Sequence, residues 1–292
     1  MTPSNNRDHN PAPAVLFSDN ALRRAWQMVR RNGNSPGIDG VTMQTFARQL
    51  DVELKRLRGE VLSGQYQPQP VKRFYVEKTS GKNRPLALWT VRDRIAQRVI
   101  HDYLTPIFEG MFLPCSYGFR PGRSTADAVA AVERAYQSKR RWVVDADIQA
   151  CFDSIPIDLL KRQVKRSVPS TLARRLIGQW LDTPVQGQLG ERAGVSQGSV
   201  ISPQLANLYL HRFDQMIFSA LPGVFLVRFA DDFVVLCRRR DEAEWALTVA
   251  GRSLANLKLQ LNPDKTRVVH FQEGFSFLGI QFKGNRQKPS GK

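Results

Sequence analysis

The chain has 292 residues, 42% of them hydrophobic and 24% charged, a folded globular composition that excludes a disordered tract or a repeat array as its main content. Forty-three Lys and Arg against 26 Asp and Glu leave a net charge of +17, and such an excess draws a polyanionic partner because a positive surface gains from releasing the counterions condensed on phosphate. No apolar run approaches the roughly 18 residues of a membrane span and no signal-like segment opens the chain, so the expectation is a soluble cytoplasmic protein that meets nucleic acid rather than a membrane.

Residues 1–17, rich in Pro and Asn, are expected to form a flexible lead-in. Ser18 then caps a helix that runs toward Gly33, and NSPGIDG makes a turn. A second helix is expected over 42–63, with Phe46, Leu50, Leu54 and Leu57 near one face. The stretch QYQPQPVKRFYVEKTSGKNRPLALW reads as two strands around a Ser80-Gly81 turn and carries Lys72, Arg73, Lys78, Lys82 and Arg84, a basic hairpin suited to cover phosphates. A helix over VRDRIAQRVIHDYLTPIF follows, then the Gly/Pro-punctuated loop CSYGFRPGRS and a helix over 125–139.

WVVDADI is a short apolar strand interrupted by acids, and two helices follow it in PIDLLKRQVKRSV and STLARRLIGQWL. VQGQLGERAGVSQGSVISPQLANLYLHRFDQMIF passes from a polar hairpin through a Gly-rich turn into a helix. GVFLVRFADDFVVLCRRR predicts two strands joined through an aspartate pair, because β-formers flank the pair on both sides. A helix over 241–257, a small sheet-like tail and a flexible end over 283–292 complete the pattern.

The acids in those strands carry the chemistry. An unpaired carboxylate in an apolar strand loses several kcal/mol of hydration, about 2–7 for a polar group and more for a charge. Yet Asp145, Asp147 and Asp153 lie in WVVDADIQACFDSI, and Asp231 and Asp232 in FLVRFADDFVVL. Cys115, Cys151, Cys237 and the four histidines are too scattered for a thiolate or imidazole site, so a metal here would be held by carboxylates. Hard divalent cations take such ligands, and two Mg²⁺ ions about 3.5–4 Å apart, with Mn²⁺ as a substitute, suit in-line attack of a 3′-hydroxyl on a nucleotide α-phosphate. Asp147 and Asp231 come first as ligands and Asp232 next, while Asp145 and Asp153 read as structural or solvated.

At these residues the sequence resembles reverse transcriptases of the group II intron-encoded type and their domesticated relatives. SPGIDGVT, GKNRPLALWTVRDRIAQ, YGFRPGRST, DADIQACFDSI, GVSQGSVISPQLANLYLH, RFADDFVVL, LQLNPDKTR and FSFLGI follow one another as the family's blocks do, over residues from about 20 to 282. The resemblance implies an α+β right-hand polymerase fold, with fingers over 18–125, an antiparallel-sheet palm over 126–282, finger elements returning near 155–190, and the thumb largely absent.

The same resemblance implies site residues. Asp147, Asp231 and Asp232 match the metal-binding and catalytic aspartates, with Phe229 where Tyr is more usual. Phe152 matches the ring beneath the incoming sugar, which disfavours a 2′-hydroxyl. Gln197 and Gly198, with Gly194, Ser202 and Pro203, match the block along the templating base and nascent pair. Lys78 and Arg84 match the residues that hold the triphosphate, with Arg73 and Lys82 as neighbours of the same kind. Lys265 matches a lysine near the leaving pyrophosphate. Tyr117, Arg120 and Arg123 fall in a block near the template, where each arginine either grips phosphate or ties down its own loop.

The implied activity is RNA-directed DNA synthesis from dNTPs, on an RNA template with a DNA or RNA primer; for the grip of a thumb the expectation is that the chain is a fragment, that a protein partner or second copy supplies it, or that only short products are made. Two other readings share these residues. One is a defence-associated or domesticated polymerase with short or weakly templated products, and the other a non-catalytic RNA-binding splicing cofactor.

Overall fold

The computed structural model describes residues 10–77, 83–186 and 194–289. In chain order the elements are α1 (Pro13–Leu16), α2 (Asp19–Arg31), α3 (Met43–Arg48), α4 (Leu50–Ser63), β1 (Val71–Glu77), β2 (Asn83–Leu88) and α5 (Val91–Glu109). Then come α6 (Thr125–Gln137), β3 (Trp142–Asp147), α7 (Cys151–Ser154), α8 (Ile157–Ser167), α9 (Thr171–Asp182), β4 (Val185–Gln186) and α10 (Ser202–Ala220). The chain closes with β5 (Phe225–Phe229), β6 (Asp232–Cys237), α11 (Arg240–Asn256), β7 (Arg267–His270), β8 (Phe275–Phe277), β9 (Ile280–Lys283) and β10 (Arg286–Pro289). Among the described residues no helix is long and apolar enough to cross a membrane.

Two compact units are formed, one from Met1–Gly110 with Ile157–Pro203, the other from Met111–Pro156 with Gln204–Lys292. The first unit is thus built from two stretches of chain that are separated in sequence. The loop at 111–125, assigned to the fingers by sequence order, instead belongs to the second unit, because its backbone pairs with a strand there.

In the first unit, Ser18 Oγ accepts from Ala21 N and starts α2, whose buried face of Leu22, Ala25, Trp26 and Val29 packs on α5. The lead-in expected to be flexible over 1–17 is ordered from Pro13 onward: proline suits a helix start, and Leu16 and Phe17 are buried. The helix expected over 42–63 is two, broken at Gln49, whose ψ of 25° leaves the helical region. β1 pairs antiparallel with β2 and parallel with β4, while the Ser80-Gly81 turn lies outside the described residues.

A buried polar network holds the entry to α5. Thr90 Oγ1 caps Asp93 N and donates to Asp93 Oδ2, Tyr66 Oη donates to Asp93 Oδ1 at 2.6 Å, and Trp180 Nε1 donates to Tyr66 Oη. Burial nonetheless pushes the Asp93 carboxyl above the usual range, partly offset by these donors.

The second unit is built on the sheet β5-β6-β3-β7, all of whose pairings are antiparallel. Register fixes what shares a face. Val143 stands opposite Leu236 and Val269, Asp145 opposite Val234 and Arg267, and Asp147 opposite Asp232, which in turn stands opposite Phe229. These side chains alternate onto one face, so that face is apolar along most of its length and acidic at one end. Its apolar part packs with Ala128, Ala131, Val132 and Ala135 of α6 and with Phe271, Phe275, Phe277 and Phe282. The polar tail expected to be flexible over 283–292 instead forms β10 over 286–289, antiparallel to β9. An edge strand needs only backbone partners, so an exposed polar segment can supply one.

Candidate active site

The aspartate pair sits where the sequence pattern placed it, at the hairpin between β5 and β6, with Ala230 and Asp231 forming a two-residue turn. Ala230 takes φ = 59°, a left-handed conformation that costs a non-glycine residue about 1–3 kcal/mol and persists only when its surroundings enforce it. Asp232 opens β6 and lies directly across from Asp147 at the end of β3. Asp231, ranked ahead of Asp232 from sequence, occupies the turn itself, and its carbonyl accepts from Ile148 N at 3.1 Å.

The enforcing structure is Arg228, a fully buried residue of β5. Its guanidinium grips Asp214 of α10 in bidentate fashion, Nε to Oδ1 at 2.7 Å and Nη2 to Oδ2 at 2.6 Å. Nη1 donates to Asn207 Oδ1 and to the Ala230 carbonyl, each at 3.0 Å, and Nη2 also donates to Ser116 Oγ at 2.9 Å. All five guanidinium donors are thereby used, the condition under which a buried charge is tolerable. Asp214 keeps the arginine charged despite burial.

One of those bonds is made to the strained residue itself, so the ion pair fixes the aspartate turn. The loop ahead of α6 joins the same assembly. Arg228 N donates to Cys115 O and Tyr117 N to Arg228 O, both at 2.8 Å, and Asn207 Nδ2 donates to Gly118 O at 2.7 Å. A Cβ on Gly118 would stand 2.6 Å from Ala230 N, so only glycine lets the loop lie against the turn.

Asp147 is almost wholly buried; Asn262 Nδ2 donates to its Oδ1 at 3.1 Å and Lys265 Nζ to its Oδ2 at 2.8 Å. That bond lifts the Lys265 ammonium pKa above its ordinary value. Asp232 is pushed up to about 7, first by burial and then by hydrogen bonding to Asp147 and the charge of Asp231. Asp145 is raised by burial and faces Arg267 at 3.4 Å. Asp145, Asp147, Asp232 and Lys265, with Thr266 and Phe277, line a cleft of about 350 Å³.

Among the described residues no three His, Cys, Asp or Glu side chains gather into a ready-made metal cage. The donor set still fits a hard divalent cation. Mg²⁺ is ordinarily held by one or two carboxylates plus substrate phosphates, and a cation would relieve the crowding of negative charge that helps to raise the Asp232 carboxyl.

The other sequence-derived candidates divide by unit. Phe152, on the short α7, is buried in the second unit; its ring meets Phe119 edge-on at 6.5 Å, and Phe119 meets Phe229 at 6.5 Å. Tyr117 lies under the Arg123 guanidinium at 5.1 Å. Arg120 Nη1 donates to the carbonyls of Leu113 and Ser116, and Arg123 Nη1 to those of Pro114 and Ser116, so both tie down their own loop.

In the first unit, Gly194 and Gly198 take φ of 82° and 97°. The Gln197 carbonyl accepts from Ala87 N, and a Cβ on Gly198 would stand 2.7 Å from Ala87 O, so this glycine is required by close approach to β2. Ser199 Oγ and Val200 N both donate to Gln97 Oε1. Ser202 and Pro203 open α10 as their pairing suggested, and Ser202 is buried. Lys78 and Lys82 lie outside the described residues, as does the side chain of Arg84, whose backbone pairs with Val76 in the β1–β2 hairpin.

Sequence reasoning passed over Arg228, Asp214, Asn207 and Phe119. A signal existed for the first, since an arginine inside LVRF is as anomalous in an apolar strand as the aspartates beside it. Asp214 and Asn207 look like ordinary polar positions on α10 until the helix is packed.

Comparisons with known proteins bear on family and fold. Residues 76–282 match the family model described as reverse transcriptase (RNA-dependent DNA polymerase). The chain is 34% identical over 300 residues to protein YkfC of Escherichia coli strain K12, a match covering 88% of this chain and 78% of that one. It is 26% identical over 335 residues to the group II intron-encoded protein LtrA of Lactococcus lactis subsp. cremoris, covering 90% of this chain but 55% of the relative.

Among solved structures, telomerase from Candida albicans superposes with a TM-score of 0.60 at 10% identity, over 88% of this chain and 52% of that one, a likeness of fold alone. The partial Cas6-RT-Cas1–Cas2 complex matches with a TM-score of 0.50 at 26% identity, over 84% of this chain and 41% of that one.

Proposed function

The chain belongs to the reverse transcriptase family, in its group II intron-encoded branch, and on that premise we propose that it extends a primer 3′-hydroxyl with dNTPs on an RNA template, using Asp147, Asp231 and Asp232 as the catalytic carboxylates. The observation that carries the reading is the register of β3 against β6, which brings Asp147 and Asp232 opposite one another beside the turn that holds Asp231. Two Mg²⁺ ions held by these three residues, with Mn²⁺ able to replace them, would supply the Lewis-acid chemistry of phosphoryl transfer.

The chain's own residues do the rest. Arg228 fixes the aspartate turn, so no backbone rearrangement is needed at the moment of reaction. Lys265, charged and held against Asp147, stands ready to give a proton to the departing pyrophosphate. Phe152 forms the floor under the incoming sugar and leaves no room for a 2′-hydroxyl. Lys78 and Arg84 bind the triphosphate, and Gln197 and Gly198 follow the nascent pair. Tyr117 and Phe229 border the primer end. The +17 charge supports backbone contacts to RNA that do not depend on base sequence.

Primer extension on matched RNA and DNA templates, with Mg²⁺ or Mn²⁺ and with dNTPs or rNTPs, tests this against Asp231→Ala. Templated dNTP incorporation that falls at least about 10³-fold in the variant supports it. Tight RNA binding without incorporation by the wild-type chain would sink it and leave the splicing-cofactor reading. The likeness to an enzyme found in a Cas6-RT-Cas1–Cas2 complex favours, as a second reading, a domesticated polymerase; short, weakly templated products in the same assay would identify it.

A further inference from the structure

Three rings meet beside the carboxylates, and the middle one is Phe119. Phe119 stands 6.5 Å from Phe152, nearly perpendicular at 87°, and 6.5 Å from Phe229 at 44°. Both separations lie within the range of attractive aromatic pairs. Phe152 is buried, whereas Phe119 keeps half of its surface open.

The backbone at these rings is unusual. Phe119 itself takes φ = 56°, Ala150 two residues before Phe152 takes 45°, and Ala230 immediately after Phe229 takes 59°. Each is a non-glycine residue in the left-handed region, where a bulky side chain is least at home. Gly118 and Gly122 show that the same loop uses glycine elsewhere, and glycine at 119 would adopt the observed angle without strain. A half-exposed phenylalanine gains little from burial that could offset such strain. Strain of this kind gathers where a side chain is held in place for function.

We propose that Phe119 is a positioning residue for sugar selection: its ring braces Phe152 edge-on, at the angle from which Phe152 closes the pocket against a 2′-hydroxyl. The inference rests on the reading of Phe152 as the floor of the sugar pocket. It assigns to Phe119 no contact with the reacting atoms. Removing the ring while relieving the backbone separates this role from a merely structural one, because a structural phenylalanine would not link a gain in backbone ease to a loss of sugar discrimination.

The test uses the full chain and three variants, Phe119→Gly, Phe119→Leu and Phe152→Ala, in primer extension with dNTPs and rNTPs, together with thermal unfolding. Phe119→Gly is expected to keep or raise Tm while the ratio of kcat/KM for dNTP over rNTP falls about tenfold, with Phe152→Ala falling at least as far and Phe119→Leu lying between wild type and glycine. A Phe119→Gly enzyme with wild-type discrimination, alongside a Phe152→Ala enzyme that has lost it, would overturn this inference alone. Unchanged discrimination in Phe152→Ala would remove the reading of Phe152 and this inference with it. A wild-type chain that incorporates no nucleotide would remove the polymerase reading first.

Discussion

Each unit of this protein buries a polar network, and the two are built differently. In the first unit Asp93 is surrounded by hydroxyl and amide donors from Tyr66, Thr90 and Gln69, with Trp180 completing the chain. In the second, Asp214 meets a guanidinium, and that guanidinium spends its remaining donors on Asn207, Ser116 and the carbonyl of Ala230. The neutral-donor network leaves its carboxyl raised by burial, while the ionic one keeps its arginine charged. Both satisfy buried polar atoms, but they secure different things. The first pins the start of α5 and so serves the fold. The second pins a strained turn bearing Asp231, one of the carboxylates proposed for catalysis, and so would serve the proposed chemistry. A buried ion pair is poor evidence of stability by itself, and its worth here is the geometry it imposes.

Breaking the ionic network should have the largest effect. Arg228→Met leaves Asp214 buried without its partner and is expected to cost about 3–5 kcal/mol in urea unfolding, with loss of primer extension. The double variant Arg228→Met/Asp214→Leu sharpens the point. It should recover most of the stability, since apolar replacement of a buried pair is often neutral, yet remain impaired in extension because Ala230 has lost its donor. Recovery of both properties would show that the pair serves the fold alone.

A smaller loss is expected in the first unit from Gly198→Ala, about 2–3 kcal/mol, because the new Cβ meets the Ala87 carbonyl at 2.7 Å and φ is 97°. If Gln197 follows the nascent pair, KM for dNTP should rise in the same variant. Tyr66→Phe should be the mildest. Loss of the hydroxyl takes a donor from Asp93 and an acceptor from Trp180, for about 1–2 kcal/mol, with kcat/KM unchanged. A fall in kcat/KM there would erase the contrast between the two networks.

Much of the site could be read along the chain because its chemistry is local in sequence. Asp231 and Asp232 are adjacent, Asp147 and Phe152 lie five residues apart, and carboxylates in an apolar strand are conspicuous by their hydration cost. The two strands around the aspartate turn, and the helices that begin at Ser18 and Thr125, follow from alternation and caps in the same way. Composition near α1 and β10 is polar and hides both elements, because a buried Phe17 and backbone pairing along β10 leave little mark in the sequence.

The sequence by itself indicated most of the helices and strands, though not α1, β10 or the break at Gln49, and it fixed which residue types could hold a divalent cation and the excess charge that suits a polyanion. Tertiary structure alone decided that Asp147 faces Asp232, that Lys265 reaches Asp147 across 118 positions, and that Arg228 finds Asp214, Asn207 and Ser116. The physical reason is the range of the interactions. Propensity, capping and alternation act over a few residues and leave a mark in the sequence. Strand register joins positions as much as 128 residues apart, Trp142 with His270, and a saturated guanidinium joins positions 112 apart, and their partners look ordinary until the chain has packed.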